Sequence, residues 1–199
     1  MFGNKKCRHK TCKKLALHNS DYCYSHLEDK EKYTEHLTMF LNQDSLFSGI
    51  NLSGITLKDF NFSQKTFRFC NFAYSEFINC NFSNSTLYMV FCDFSCFRAC
   101  DFSHITMKWS VLSGSVMEDC TFRESDIVRS AFVGIESRNC KFNNSDLYSS
   151  RFISAKLSNT GFIDCNILRT HFEHANLDQV DFKYSNVAEA YFDKEISES

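Results

Sequence analysis

A solenoid, a chain wound into stacked and nearly identical coils, is the architecture this sequence predicts, and three observations predict it. First, from Phe47 to Phe192 every fifth position falls in one unbroken phase. Of those 30 positions, 28 hold a large apolar residue, and only Cys92 and Ser137 depart. Neither the 3.6-residue helix period nor the 2-residue strand period produces this spacing. Second, the 199 residues include no proline and only six glycines, which argues against a disordered or loop-dominated chain. Third, 22 phenylalanines raise the aromatic content to 16%, and 16 of the 22 lie in the five-residue phase, so the excess reads as core.

The repeating unit has a second regular position. Two residues before each large residue stands a small one, as at Cys80, Ser85, Cys100, Ser115, Cys120, Ser125, Cys140 and Ser145. The residue between the two is often Asn or Asp, as at Asn71, Asp101, Asp146 and Asn176. Segments such as Ala175-Asn176-Leu177-Asp178-Gln179 show the unit whole. Units of this kind resemble those of the pentapeptide-repeat family. The resemblance spans residues 45–194 and implies an all-β solenoid, a right-handed quadrilateral parallel β-helix. Four units would make one square turn, the large and small residues would face inward, and the other three would face solvent. Thirty units would then give about 7.5 coils, ~36 Å long at the ~4.8 Å spacing of neighbouring strands.

A 20-residue coil makes a demand on the sequence, because residues 20 apart must stack. Phe62, Phe82, Phe102, Phe122, Phe142, Phe162 and Phe182 meet it with an unbroken phenylalanine column. The cysteines fit the same frame. Cys70, Cys80, Cys100, Cys120, Cys140 and Cys165 occupy the small inward position and read as reduced, buried hydrophobes. Stacked side chains that point the same way suit disulfide geometry poorly. Cys96 alone among the repeat cysteines faces outward. Ser137 interrupts a column of Leu57, Phe77, Phe97, Met117, Leu157 and Leu177, and a gap or local bend is expected there.

The chain divides into a head (1–26), a capping helix (27–44), the rod (45–194) and a tail (195–199). In the head, Cys7, Cys12, Cys23 and His26 have the spacing C-x4-C-x10-C-x2-H, the donor set of a tetrahedral structural Zn2+ site. So short a segment cannot bury a core, so a metal would supply its folding energy. His9 and His18 are alternative ligands, and Cys12 is the least secure of the four. The head also carries Lys5, Lys6, Arg8, Lys10, Lys13 and Lys14, a solvated basic face or a contact for nucleic acid. A helix is expected from about Leu27 to Gln43, with Tyr33, Leu37, Phe40 and Leu41 along one face. Solenoid ends need covers, and this helix should lie over the first coil. At the other end either the tail folds over the last coil or a second copy pairs with it about a twofold axis, as the family resemblance implies.

Functional signals are sparser. The sequence offers no phosphate-binding glycine loop and no repeated acid–base constellation, so no enzyme and no small-molecule substrate are expected. His171, His174 and the adjacent Glu118 and Asp119 read as surface groups. No apolar run approaches the ~20 residues a membrane helix needs, and no export signal follows Met1, so a cytoplasmic protein with reduced thiols is expected. The outward columns are more telling. Phe69, Met89 and Trp109 lie 20 apart, Tyr88 precedes Met89, and Tyr74, Phe91 and Phe94 fall around the next corner. Contiguous exposed aromatic surface marks a protein partner site, unless the chain itself or a second copy covers it. The resemblance also brings an alternative, the quinolone-resistance pentapeptide proteins, which mimic a DNA duplex and bind DNA gyrase. A duplex mimic should be strongly acidic, whereas residues 45–199 hold 18 acidic against 14 basic residues. Only 161–199, with eight against three, is acidic.

Overall fold

The computed structural model describes residues 5–193 of the chain. Twelve three-residue strands alternate with tight turns. They are β1 (Leu46–Ser48), β2 (Thr56–Lys58), β3 (Thr66–Arg68), β4 (Glu76–Ile78), β5 (Thr86–Tyr88), β6 (Cys96–Arg98), β7 (Thr106–Lys108), β8 (Val116–Glu118), β9 (Asp126–Val128), β10 (Glu136–Arg138), β11 (Lys156–Ser158) and β12 (Asn176–Asp178). All pair in parallel at a shift of 20 residues, as in Phe47↔Phe67, Leu87↔Met107 and Phe97↔Met117. The odd strands form one sheet, in the order β1-β3-β5-β7-β9. The even strands and β11 form the other, in the order β12-β11-β10-β8-β6-β4-β2. Two further ladders of single bridges complete the square: Asn51↔Asn71↔Phe91↔Val111↔Ala131 and Asn61↔Asn81↔Asp101↔Thr121↔Lys141. The result is a four-sided parallel β-solenoid of about seven turns.

Inside, the stacking demand is met ring on ring. Phe62–Phe82, Phe82–Phe102, Phe102–Phe122 and Phe122–Phe142 stack at 4.4–4.7 Å with interplanar angles of 10° or less. The small inward residues do more than leave room. Their hydroxyls and thiols donate to a carbonyl 23 residues earlier, as in Ser95 Oγ to Phe72 O (2.8 Å), Ser115 Oγ to Cys92 O (2.8 Å) and Cys100 Sγ to Phe77 O (3.4 Å). Serine and cysteine therefore interchange because each is a small donor facing the same acceptor. All seven inward cysteines are unbridged and buried; Cys96, on the outer side of β6, is half-buried.

Ser137 corrects an expectation. The ladder runs through it in register, Met117↔Ser137↔Leu157, with neither bend nor slip. Its hydroxyl lies 3.1 Å from Thr160 Oγ1 and is fully buried, so the polar atom is satisfied. Ser137→Ala should cost about 0.5–1.5 kcal/mol, the net worth of one hydrogen bond, measured by urea unfolding.

One regularity is visible only in the backbone. From Gly49 to Tyr184, every residue two after an inward centre has a positive φ, between 47° and 79°. This single left-handed residue turns each corner. None of these positions holds Val, Ile or Thr, whose branched Cβ is worst placed there.

The helix α1 (Lys30–Gln43) begins three residues later than expected, because Asp29 caps it by accepting the Lys32 N–H at 2.9 Å. It lies over the first coil as expected. Leu37 and Leu41 are buried in the common core, and the Phe40 ring meets Phe47 edge-on at 5.4 Å. At the far end the short 3-10 turn Val187–Glu189 replaces a strand, and Leu177, Val180, Phe182 and Phe192 are only partly buried. The expected closure by the tail falls at 195–199, outside the described residues. Among the described residues no helix is long and apolar enough to cross a membrane.

Candidate metal centre and interaction face

The head folds around a small hairpin. Lys6 bridges Leu15 antiparallel, and the Cys7 N–H donates to Lys14 O at 3.0 Å. The hairpin carries Cys7 and Cys12 towards the 3-10 turn Tyr24–His26, which presents Cys23 and His26. The four donor atoms converge within 4.8 Å of one another. Cys7 Sγ and Cys23 Sγ lie 3.4 and 3.3 Å from His26 Nδ1, and Cys12 Sγ lies 3.8 Å from Cys23 Sγ. A tetrahedron with Zn–S of ~2.3 Å and Zn–N of ~2.0 Å has edges of ~3.8 Å (S···S) and ~3.5 Å (S···N). The donor spacing therefore fits a zinc-sized ion, with His26 presenting Nδ1.

The electrostatics of Cys7 and Cys23 differ. Burial raises the Cys7 thiol, but the Cys23 and His9 main-chain N–H groups and the His26 and Cys23 side chains outweigh it and bring it down to about 6. Cys23 moves the other way, raised by burial and by the neighbouring thiols. The two alternative ligands have other tasks. His9 stacks flat on His26 at 4.0 Å and fixes its ring plane. His18 packs against Phe40 at 4.7 Å, and burial holds its imidazole below the usual value.

The head is seated on the rod through Asn51. Asn51 Nδ2 donates to Ala16 O at 2.7 Å, the His18 N–H donates to Asn51 O at 2.8 Å, and Tyr33 Oη donates to His18 O at 2.9 Å. The basic charges of the head are partly spent internally, since Lys5 and Arg8 both pair with Asp21.

Asn51 begins the ladder Asn51-Asn71-Phe91-Val111-Ala131, so the head occupies the first step of that side of the square. Six of the seven expected partner residues belong to this side or its two corners, and Tyr88 ends β5 on the neighbouring side, next to the Met89 corner. On one corner, Phe69, Tyr88 and Trp109 meet edge to face at 5.6 and 5.2 Å, beside Met89. On the other, Tyr74 and Phe94 stack at 5.4 Å. Phe94 lies over Gly114, where a Cβ would come within 2.6 Å of the ring. Tyr74 is 68% exposed, Phe94 59%, Phe69 41%, Trp109 40% and Phe91 38%. Phe69, Tyr74, Met89, Phe94 and Trp109 all occupy the left-handed corner position. Asn, Asp or Gly fits that position best, and bulky residues there are strained. This coincidence of exposure and backbone strain was hidden from sequence reasoning, although the absence of branched residues in the corner phase could have revealed the corner itself.

The other sides differ. One carries a charge ladder, with Arg98 between Glu76 (2.7 Å) and Glu118 (3.0 Å), Arg138 on Glu118 (2.9 Å) and Lys156 on Glu136 (2.8 Å). Asp119 accepts from Asn139 at 2.9 Å. Glu118 and Asp119 thus tie coils together. His171 bonds to Glu173 at 2.9 Å and stacks on Tyr191, while His174 faces Asp193 at 3.3 Å, so the two histidines do not converge.

Coils of five-residue sides around stacked phenylalanines define a non-globular class, the β-solenoid repeat proteins. Within it, the model for Pentapeptide repeats matches residues 45–84, 67–104 and 155–193. The chain belongs to the pentapeptide-repeat family. Among curated proteins none matches it. Similar solved structures include HetL, a pentapeptide repeat protein involved in heterocyst differentiation regulation from the cyanobacterium Nostoc sp. strain PCC 7120. It is 11% identical with a TM-score of 0.30, and the match covers 82% of this chain and 98% of HetL. A trypsin-treated form of QnrB1, a plasmid-mediated fluoroquinolone resistance protein, is 17% identical with a TM-score of 0.34, covering 74% and 92%. Rfr23 from the cyanobacterium Cyanothece 51142 is 19% identical with a TM-score of 0.24, covering 81% and 99%.

Proposed function

We propose that this protein is a non-enzymatic interaction module: a rigid β-solenoid that presents one apolar side to a protein partner and carries a Zn2+-stabilised head. The observation that carries the reading is the row of large side chains at the left-handed corners of a single side. Each costs about 1–2 kcal/mol of backbone strain relative to ordinary geometry, and each leaves apolar surface in water. A fold that needed only a corner would use Asn, as it does at Asn79, Asn84, Asn139 and Asn159. Partner binding supplies a return for both costs. In this reading Cys7, Cys12, Cys23 and His26 fill all four positions of a structural zinc site, which leaves none open for chemistry.

The duplex-mimic reading draws less support. Its columns would need unbroken acidity, yet Arg98 and Arg138 alternate with Glu76, Glu118 and Glu136 along the charged side.

The test uses asparagine, which tolerates the corner geometry. Phe94→Asn and Trp109→Asn together should leave unfolding stability within about 1–2 kcal/mol of the parent. Lost ring contacts, worth about 0.5–1.5 kcal/mol each, are offset by relieved strain. The same pair should abolish partner capture in a pull-down. Full capture by the folded double variant would remove this side from consideration.

A further inference from the structure

The corner column that holds Phe69, Met89 and Trp109 continues as Arg129, Ser149 and Arg169, all in the left-handed conformation. Past Trp109 the column thus changes from apolar to cationic and polar. Both guanidinium groups turn towards one residue, Tyr148, which precedes the middle corner. Arg169 Nη1 donates to Tyr148 Oη at 3.3 Å, and Arg129 Cζ lies 5.9 Å from the centre of the same ring. A hydrogen bond from the Ser149 hydroxyl, and after it the charge of Arg169, hold the Tyr148 phenol below its usual value, and a hydrogen bond from Arg129 adds to the effect. Donors from three successive coils therefore gather around one phenol oxygen.

What the group lacks is an anion. Among the described residues neither arginine has a carboxylate within ion-pair distance, whereas Arg98 and Arg138 on the charged side each have two. The carboxylates at adjoining positions are committed elsewhere. Asp126 pairs with Lys108 at 2.8 Å, Asp146 Oδ1 accepts from the Tyr148 N–H and from Asn166 Nδ2, and Glu189, next in the corner column, accepts from Asn186 Nδ2. A guanidinium cannot shed its proton to relieve the imbalance. Both arginines are exposed, and Tyr148 and Ser149 are half-buried, so a ligand can reach all four. Corners two coils apart are separated by ~10 Å at ~4.8 Å per coil, a span that two arginine side chains close around one anion. The donor count selects the anion. A carboxylate offers two oxygens and a single charge. A phosphate monoester offers three terminal oxygens and about 1.5–2 negative charges at pH 7, which match two guanidinium forks and two hydroxyls.

We infer that Arg129, Tyr148, Ser149 and Arg169 form a binding site for the phosphate monoester group of a soluble ligand. The two guanidinium groups take the phosphate oxygens from either side. The Tyr148 and Ser149 hydroxyls, which now serve each other and Arg169, turn to donate to the same group. Trp109 stands one coil from Arg129 in the same column, so the organic part of the ligand has an aromatic neighbour on that side.

Phenyl phosphate titrated into the full chain tests this, followed by calorimetry and by the fluorescence of Trp109, the chain's one tryptophan. Saturable one-to-one binding is expected, at least tenfold tighter than that of benzoate, with inorganic phosphate competing for the same site. Arg129→Gln and Arg169→Gln should each weaken it at least tenfold, and Tyr148→Phe, which keeps the ring and loses the hydroxyl, should weaken it too. Arg98→Gln, on the charged side, should leave it unchanged. All of these side chains lie outside the core, and urea unfolding checks that each variant is folded. No saturable binding at millimolar phenyl phosphate would overturn the inference, as would equal binding by a folded Arg129→Gln/Arg169→Gln variant. Binding lost instead on Lys13→Gln/Lys14→Gln would move the site to the head. Benzoate bound as tightly as phenyl phosphate would reduce it to a general anion contact. Phosphatidic acid vesicles, bound through Arg129 and Arg169 where phenyl phosphate is not, would overturn the soluble ligand in favour of a lipid surface.

Discussion

Phe122→Ala should destabilise the rod by about 3–5 kcal/mol, the usual cost of emptying a large buried aromatic site. Phe122 stacks on Phe102 at 4.5 Å and on Phe142 at 4.6 Å, with interplanar angles of 0° and 4°, and it is fully buried. No side chain can move into the void, because each inward residue is held by its own coil. Phe182→Ala, at the partly open last coil, should cost markedly less, since that ring is only partly buried and stacks on one column neighbour, Phe162, at 5.2 Å. Urea unfolding of both variants makes the comparison. Solenoid stability is a sum of coil and interface terms, so hydrogen exchange should also show Phe122→Ala loosening the coils on both sides of 122. Equal losses at the two sites would contradict the layered core described above.

The second large effect is expected in the head. Protein purified without chelator should hold one equivalent of zinc by elemental analysis, and Cys23→Ser should hold none. Structural zinc sites in small peptides bind with apparent free energies of ~10–16 kcal/mol at neutral pH, and that energy is folding energy. Metal removal should therefore unfold residues 5–26, seen as rapid amide exchange there. Coils beyond the first, with their own core, should keep their protection. Protons compete with the metal for thiolates, so zinc should be retained at neutral pH and released on acidification. A head that stays protected without metal would show that its packing on Asn51 and Tyr33 suffices.

The same two features show what a sequence can and cannot disclose. Coil length, inward phase and the phenylalanine columns were legible because a solenoid repeats its environment every five residues, and one environment selects one kind of residue. The donor set in the head was legible because metal ligation tolerates few residue types at few spacings. Helix α1 was legible on its inner face but not at its start, since Asp29 competes with neighbouring residues to cap and only local backbone geometry decides which wins.

Other features needed three dimensions. Ser137 reads as a defect along its column, yet Thr160, 23 residues away, supplies its partner. The left-handed corner at every fifth residue is a backbone property that Asn, Phe, Arg and Trp all adopt here, so the sequence marks it only by the absence of branched residues. Phe69, Tyr74, Phe94 and Trp109 were recognisable as outward aromatics. That they share one side and rest on strained backbone follows from how corners stack across coils. The repeat phase alone settled that this chain winds into a phenylalanine-cored solenoid, because burying one residue in five admits few other solutions. Where the head sits on the rod was decided by tertiary contacts between residues far apart in the chain, above all Asn51 with Ala16 and Tyr33 with His18.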